Sequence, residues 1–255
     1  MKKLLIFDLD GTLAESKCPL TSEMAEILEN ALHHFHIAVI SGGNYPQFEK
    51  QFLGHLPLLD EYLEKIFLFP TCATSFYRYN SRSWHKIYSE DLSEEQRKKI
   101  LQAFEETFKE IGFIPGKDYG PVLEDRLTQI TFSALGQEAP VHLKKKWDPQ
   151  HIKRLSMIDV LKNKIPEFEI RTGGSTSIDV TKKDIDKAYG IQQIEKHLGY
   201  KREEMFFVGD ALFDGGNDAP IKKTGIDFIE VSGPEETKQV IKKLIGTYGP
   251  KTAQI

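Results

Sequence analysis

Asp8-Leu9-Asp10-Gly11-Thr12-Leu13 is the stretch on which the reading turns. It closes the apolar run Lys3–Phe7 with acids and a glycine, the pattern of a buried strand that ends at a loop. In an open α/β sheet the crevice at the carboxyl ends of the strands is where ligands bind. Residues two apart point the same way as a chain leaves a strand, so Asp8 and Asp10 both project into that crevice. Two carboxylates this close repel unless a cation lies between them or one holds a proton. Gly11 permits a sharp turn, and Thr12 offers a hydroxyl and an amide to a phosphate oxygen.

Outward from this motif the chain alternates. Met24, Ile27, Leu28, Ala31, Leu32 and Phe35 recur at helical spacing and predict a helix over about Thr21–Phe35. A second buried strand follows at Ile37–Ile40, then a helix over Pro46–Leu53 and a strand at Ile66–Phe69. Strand–helix–strand alternation predicts a doubly wound, Rossmann-like parallel sheet covered on both faces. The pattern then changes. Ser75–Tyr79 and Trp84–Tyr88 read as strands around a polar turn, and Ser93 with Gln96 is a capping box that opens a helix. Val122–Asp125 and Gln129–Ala134 read as paired strands, Asp148-Pro149 opens a second helix to about Lys164, and Glu167–Arg171 and Ser175–Val180 are strands again. Two helices on an antiparallel sheet make an α+β module. After Asp186 the first pattern resumes, with a helix near Lys187–Leu198, a strand Met205–Val208, a helix near Asn217–Lys223 and a last helix from Pro234; the tail beyond Gly246 is expected to fray. The expected organisation is α/β with an inserted α+β cap: core 1–82, cap 83–183, core 184–255.

Composition narrows the function. Acids outnumber bases 38 to 34, a net charge of −4, so no nucleic-acid partner is expected. No apolar run reaches the ~18–20 residues of a membrane span, and the opening residues lack the long apolar stretch of a secretory leader. Two cysteines, Cys18 and Cys72, are too few for a disulfide framework or a metal cluster. A cytoplasmic protein is expected.

Other chemistry-bearing residues stand at matching places. Ser41-Gly42-Gly43 ends the second strand and offers a hydroxyl and amides to a phosphate. Lys187 opens a helix just as the core resumes. Gly209-Asp210 ends the very apolar strand Met205–Val208 and leads to Asp214, Asn217 and Asp218, an acid-rich loop suited to a cation. Each element alone is ordinary, because acids and glycines are common in turns. Four in order, each at a strand end or helix start of one sheet, are not.

This order resembles the haloacid dehalogenase superfamily of phosphotransferases, subfamily IIB. The resemblance implies that Asp8 is the nucleophile that becomes a phosphoaspartate and Asp10 the general acid/base. It implies that Thr12, Ser41 and Gly42 bind the phosphoryl group, that Lys187 neutralises charge and that the cofactor is Mg²⁺. The candidate metal ligands are Asp8, Asp10, Asp210, Asp214 and Asp218.

Within the cap, Glu124-Asp125-Arg126 with Gln129–Gly136, and Gly173-Gly174-Ser175-Thr176-Ser177-Ile178-Asp179-Val180, are similar to segments of the eukaryotic-type phosphomannomutases, as is Gly209-Asp210…Gly215-Gly216-Asn217-Asp218. This likeness implies a small-molecule sugar phosphate as substrate, with Arg126 on its distal phosphate and Ser177 and Asp179 on its hydroxyls. It also implies a homodimer paired through the cap. The chain departs from the family at Gln137 and Lys144, where the family has arginines, at Lys17 near the first motif, and at Asp214, where it has a proline. Gln137 and Lys144 are candidate substrate contacts, yet losing an arginine fork weakens phosphate recognition. Mutase and sugar-phosphate phosphatase therefore both stay open, and a non-enzymatic sugar-phosphate sensor is the third reading.

Overall fold

The computed structural model describes residues 1–116 and 118–249. Among these, the strands are β1 (Leu4–Phe7), β2 (His36–Ile40), β3 (Ile66–Phe69), β4 (Ser75–Asn80), β5 (Ser83–Ser89), β6 (Leu123–Asp125), β7 (Ile130–Ser133), β8 (Phe168–Thr172), β9 (Ser177–Lys182), β10 (Met205–Gly209) and β11 (Asp227–Glu230). The chain divides into two compact units, Met1–Tyr88 with the stretch from Lys187 on, and Ser89–Asp186. No helix among the described residues is long and apolar enough to cross a membrane.

The first unit carries a seven-stranded sheet in the order β11-β10-β1-β2-β3-β4-β5. The pairs β11–β10, β10–β1, β1–β2 and β2–β3 are parallel, and β3–β4 is antiparallel. Every residue of β1 is fully buried, because successive side chains enter two different cores. Leu5 and Phe7 join Ile37, Val39, Ile66 and Leu68 beneath the helices Ser22–Leu32 and Pro234–Tyr248. Leu4 and Ile6 join Ala38, Ile40, Phe69 and Phe207 beneath the helix Lys187–Leu198, through Ile191 and Ile194. Burying one such side chain contributes about 1.5–3 kcal/mol. An apolar run this continuous satisfies both layers at once, as parallel strands require.

The second unit is a four-stranded antiparallel sheet, β6-β7-β9-β8, with the helices Glu94–Ile111 and Ile152–Lys164 on one face. Ile130, Phe132, Ile170, Ile178 and Val180 meet Phe104, Phe108, Ile158 and Leu161 there.

Several expectations need correction. Strand β5, which falls inside the cap expected over 83–183, extends the seven-stranded sheet of the first unit instead, beside β4. The helix expected from Asp148-Pro149 begins at Ile152, although the Asp148 carboxylate still caps it by accepting from the amides of Lys153 (3.1 Å) and Arg154 (3.2 Å). Val141–Trp147 is a helix that was not expected. The helix expected near Asn217–Lys223 is a 3₁₀ turn at Ala219–Lys223. The last helix runs to Tyr248, past the expected start of fraying, and residues 250–255 lie outside the described ones.

Candidate active site

Asp8 follows β1 directly and is 2% exposed. Lys187, 1% exposed, is the first residue of its helix, and its ammonium donates to Asp8 Oδ1 at 2.5 Å and to Asp218 Oδ1. Asp210 follows β10, and Asp218 lies on the loop beyond it, where its Oδ2 accepts from the Ala211 amide at 3.0 Å. Close approach at this strand edge requires glycine. A Cβ on Gly209 would lie 2.3 Å from Asp218 Oδ2, and one on Gly11, at φ +92°, 2.3 Å from Asp210 Oδ2.

Among the described residues, Asp8, Asp210 and Asp218 are the group whose ligand atoms stand close enough to share a metal ion, all within 4.8 Å of one another. Three carboxylates face one ammonium in a buried space, an excess of two negative charges. Burial pushes the Asp8 carboxyl well above the usual range; Asp218 and Asp210 add to this and Lys187 opposes it. Burial likewise raises Asp210, to about 6, with Asp218 adding to the effect. Burial alone would lower the Lys187 ammonium, but Asp218 and Asp8 outweigh it and the net shift is upward. All-oxygen donors with two uncompensated charges suit a hard divalent cation such as Mg²⁺.

The phosphate-binding candidates lie on the same unit. Thr12 is fully buried and its hydroxyl donates to Asp210 Oδ1 at 3.3 Å. Ser41 Oγ accepts from the Gly43 amide at 3.1 Å. The loop around Gly42 is pinned from below: the Thr71 amide donates to the Gly43 carbonyl and the Cys72 amide to the Ser41 carbonyl, both at 2.8 Å. Thr71, Cys72 and Ala73 all hold positive φ (50°, 56° and 66°), a strained left-handed turn that persists where its surroundings enforce it.

Two candidate ligands stand outside the metal group. Asp214 is exposed. Asp10 turns to other partners, accepting from the Lys17 amide at 2.7 Å and from the side-chain amides of Gln47 and Gln51, each at 3.2 Å.

The cap candidates sit in the second unit. Arg126 pairs with Glu124 at 2.7 Å and its side chain is 3% exposed. Asp179 Oδ1 accepts from Gln129 (2.9 Å) and Thr131 (2.8 Å), and Ser177 bonds Ser133 at 3.0 Å. Lys144 is buried and donates to the Gln137 backbone carbonyl at 2.8 Å. Register places Glu124, Thr131, Asp179 and Arg171 in one row across the sheet, opposite its apolar face.

The profile of the family described as eukaryotic phosphomannomutase matches residues 24–247. The chain belongs to that family. The phosphomannomutase of Schizosaccharomyces pombe is 27% identical over 256 residues, covering 95% of this chain and 94% of that one. The phosphomannomutase of Saccharomyces cerevisiae is 27% identical over 253 residues, covering 94% and 93%. In fold, the chain is similar to the IMP-nucleotidase of Plasmodium falciparum (TM-score 0.70, 17% identity, 96% of this chain and 68% of that one). It is also similar to a haloacid dehalogenase-like hydrolase from Bacteroides thetaiotaomicron (TM-score 0.61, 14% identity, 96% and 100%). The family is one of enzymes, and the core fold is the haloacid dehalogenase one.

Sequence reading missed three polar residues that support these phosphomannomutase-type motifs. Gln47 and Gln51 reach Asp10. Arg154, 1% exposed, donates to Asp148 Oδ2 at 3.0 Å, to the Gly173 carbonyl at 3.1 Å and to the Gly174 carbonyl, tying down the turn before Ser177. The available signal for the glutamines was their i, i+4 spacing soon after Ser41-Gly42-Gly43, on a helix where Phe48, with Phe52 just past its end, already supplies the apolar anchor.

Proposed function

We propose that this chain transfers phosphoryl groups on hexose phosphates through a phosphoaspartate on Asp8, in the manner of a phosphomannomutase that interconverts mannose 6-phosphate and mannose 1-phosphate. The observation that carries the proposal is the buried set of Asp8, Lys187, Asp210 and Asp218 at the carboxyl edge of the sheet, in a chain of this family. A carboxylate attacks an anionic phosphate poorly, so the site must supply positive charge. Held by Asp8, Asp210 and Asp218, Mg²⁺ would neutralise the phosphate oxygens and the spread charge of the transition state. Lys187 adds a fixed ammonium, and Thr12, Ser41 and the Gly42 amide would orient the phosphate.

An oxygen of Asp8 bonds to phosphorus as the bond from phosphorus to the sugar oxygen breaks, and Asp10 gives its proton to that oxygen. The second hydroxyl of a sugar then attacks the phosphoryl group and loses its proton to Asp10, and the bond to Asp8 breaks. In the cap, Arg126 would meet the distal phosphate, and Ser177 and Asp179 the hydroxyls. A cytoplasmic setting belongs to the same reading, with Cys18 and Cys72 both outside any disulfide.

Two contacts favour a second reading, a sugar-phosphate phosphatase. Lys144 donates to the Gln137 carbonyl, and the charge of Arg126 is offset by Glu124, so a second phosphate must compete for both cations. The deciding experiment supplies mannose 1-phosphate with Mg²⁺ and a hexose bisphosphate activator. Mannose 6-phosphate as product supports the mutase. Inorganic phosphate without mannose 6-phosphate makes it a phosphatase, and neither product removes both readings.

A further inference from the structure

The helix Tyr45–Gln51 starts at Asn44, whose side chain accepts from the Gln47 amide, and it is anchored by Phe48 and Phe52, both fully buried. Its other face presents Gln47 and Gln51 one turn apart, with Gln51 only 2% exposed. Gln47 Nε2 donates to Asp10 Oδ2 at 3.2 Å and to Gln51 Oε1. Gln51 Nε2 donates to Asp10 Oδ1 at 3.2 Å and to the Cys18 carbonyl at 3.0 Å. Lys17 Nζ donates to Gln47 Oε1 at 2.8 Å, while the Lys17 amide, aimed by a positive φ of 62°, donates to Asp10 Oδ1. Both hydrogens of each amide nitrogen are therefore used, and both amide oxygens accept. This fixes the amide orientations, since turning either over would set oxygen against the Asp10 carboxylate.

We infer that Gln47 and Gln51 are positioning residues for Asp10: they form a neutral amide clamp that keeps its carboxylate out of the metal group and available to carry a proton. This rests on Asp10 being the acid–base residue of the proposed transfer. The physical need is plain. Asp10 lies two residues from Asp8, beside a centre that holds a buried ammonium and suits a divalent cation. An untethered carboxylate is drawn to such charge, and once bound to it stops acting as a base. Two donors on one helix, with no charge of their own, hold both oxygens against that pull.

The test is the full-length Gln47→Met/Gln51→Met variant, whose side chains keep their length and lose the amides. Its kcat/KM is compared with that of the wild type on two substrates. Mannose 6-phosphate has an alkoxide leaving group that needs a proton; p-nitrophenyl phosphate has one that does not. Clamp loss should lower kcat/KM on mannose 6-phosphate by at least ~10-fold more than on p-nitrophenyl phosphate, as loss of general acid catalysis implies. In an Asp10→Asn background the same pair of substitutions should cost nothing further. Equal losses on both substrates, or an undiminished further loss in the Asp10→Asn background, overturn the inference and leave a helix-packing role. Should the wild type itself transfer phosphoryl from neither substrate, the transfer reading is what fails. Crystal structures of wild type and variant then decide the clamp alone: a displaced Asp10 carboxylate in the variant supports it, and an unchanged one overturns it.

Discussion

The two units handle buried charge in opposite ways. In the first, Asp8, Asp210 and Asp218 outnumber Lys187, and the repulsion pushes carboxyl groups upward. In the second, two arginines with buried side chains each have a carboxylate partner: Arg126 with Glu124, and Arg154 with Asp148. A matched pair stabilises architecture or waits for a ligand to compete for it. An unmatched cluster costs stability until a cation arrives, and a fold tolerates that cost where chemistry needs it. The unmatched centre is thus the candidate for catalysis, and the matched sheet the candidate for recognition.

Four substitutions or titrations can break this contrast. Asp8→Asn should lower turnover by at least ~10³-fold, as removal of a nucleophile does. Thermal unfolding of the metal-free variant should show no loss of stability, because a repelled carboxylate has been neutralised; a lower melting temperature would show that the centre is not strained. Arg154→Ala should do the reverse. Leaving the buried Asp148 carboxylate without its guanidinium partner costs about 3–5 kcal/mol, and at about 2–4 °C per kcal/mol the melting temperature falls by at least ~6 °C. An unshifted melting curve would mean that the Gly173–Gly174 turn holds without it. Arg126→Ala should raise KM for sugar phosphates by at least ~10-fold, the loss of a charge-assisted contact of ~1.5–3 kcal/mol; an unchanged KM places the distal phosphate elsewhere.

The smallest effect is a pH dependence. Asp210 is raised from 3.8 to about 6, so the metal-free fold keeps a proton that the unfolded chain gives up. Its contribution to stability therefore falls as pH rises from about 4 to about 6. Protons and Mg²⁺ compete for the same oxygens, so Mg²⁺ affinity should be at least ~10-fold weaker at pH 5 than at pH 7. Titration calorimetry at the two pH values reads this directly, and equal affinities would remove Asp210 from the metal group.

Much of this was legible in the sequence. The apolar runs before Asp8, Ser41 and Asp210 could only be strands buried on both faces, and their order put the acids and Lys187 at one sheet edge. What stayed hidden has physical causes. Strand β5 shows the same alternation whichever sheet it joins, so a boundary drawn at its start, between 82 and 83, came one strand too early. Lys144, a candidate substrate contact by its place in the sequence, sits on a helix that turns it inward to a backbone carbonyl. Asp10 and Asp214 look like Asp210 in one dimension. Only the glutamine helix and the exposure of the loop set them apart from the three acids that converge.

The most direct test of the central claim is to quench the enzyme with acid after brief mixing with Mg²⁺ and a hexose bisphosphate, and to locate any added phosphoryl group by peptide mass spectrometry. A single acyl phosphate on Asp8 is expected, absent from Asp8→Asn. A phosphoryl group on any other residue, or the same product yield from Asp8→Asn, would contradict it.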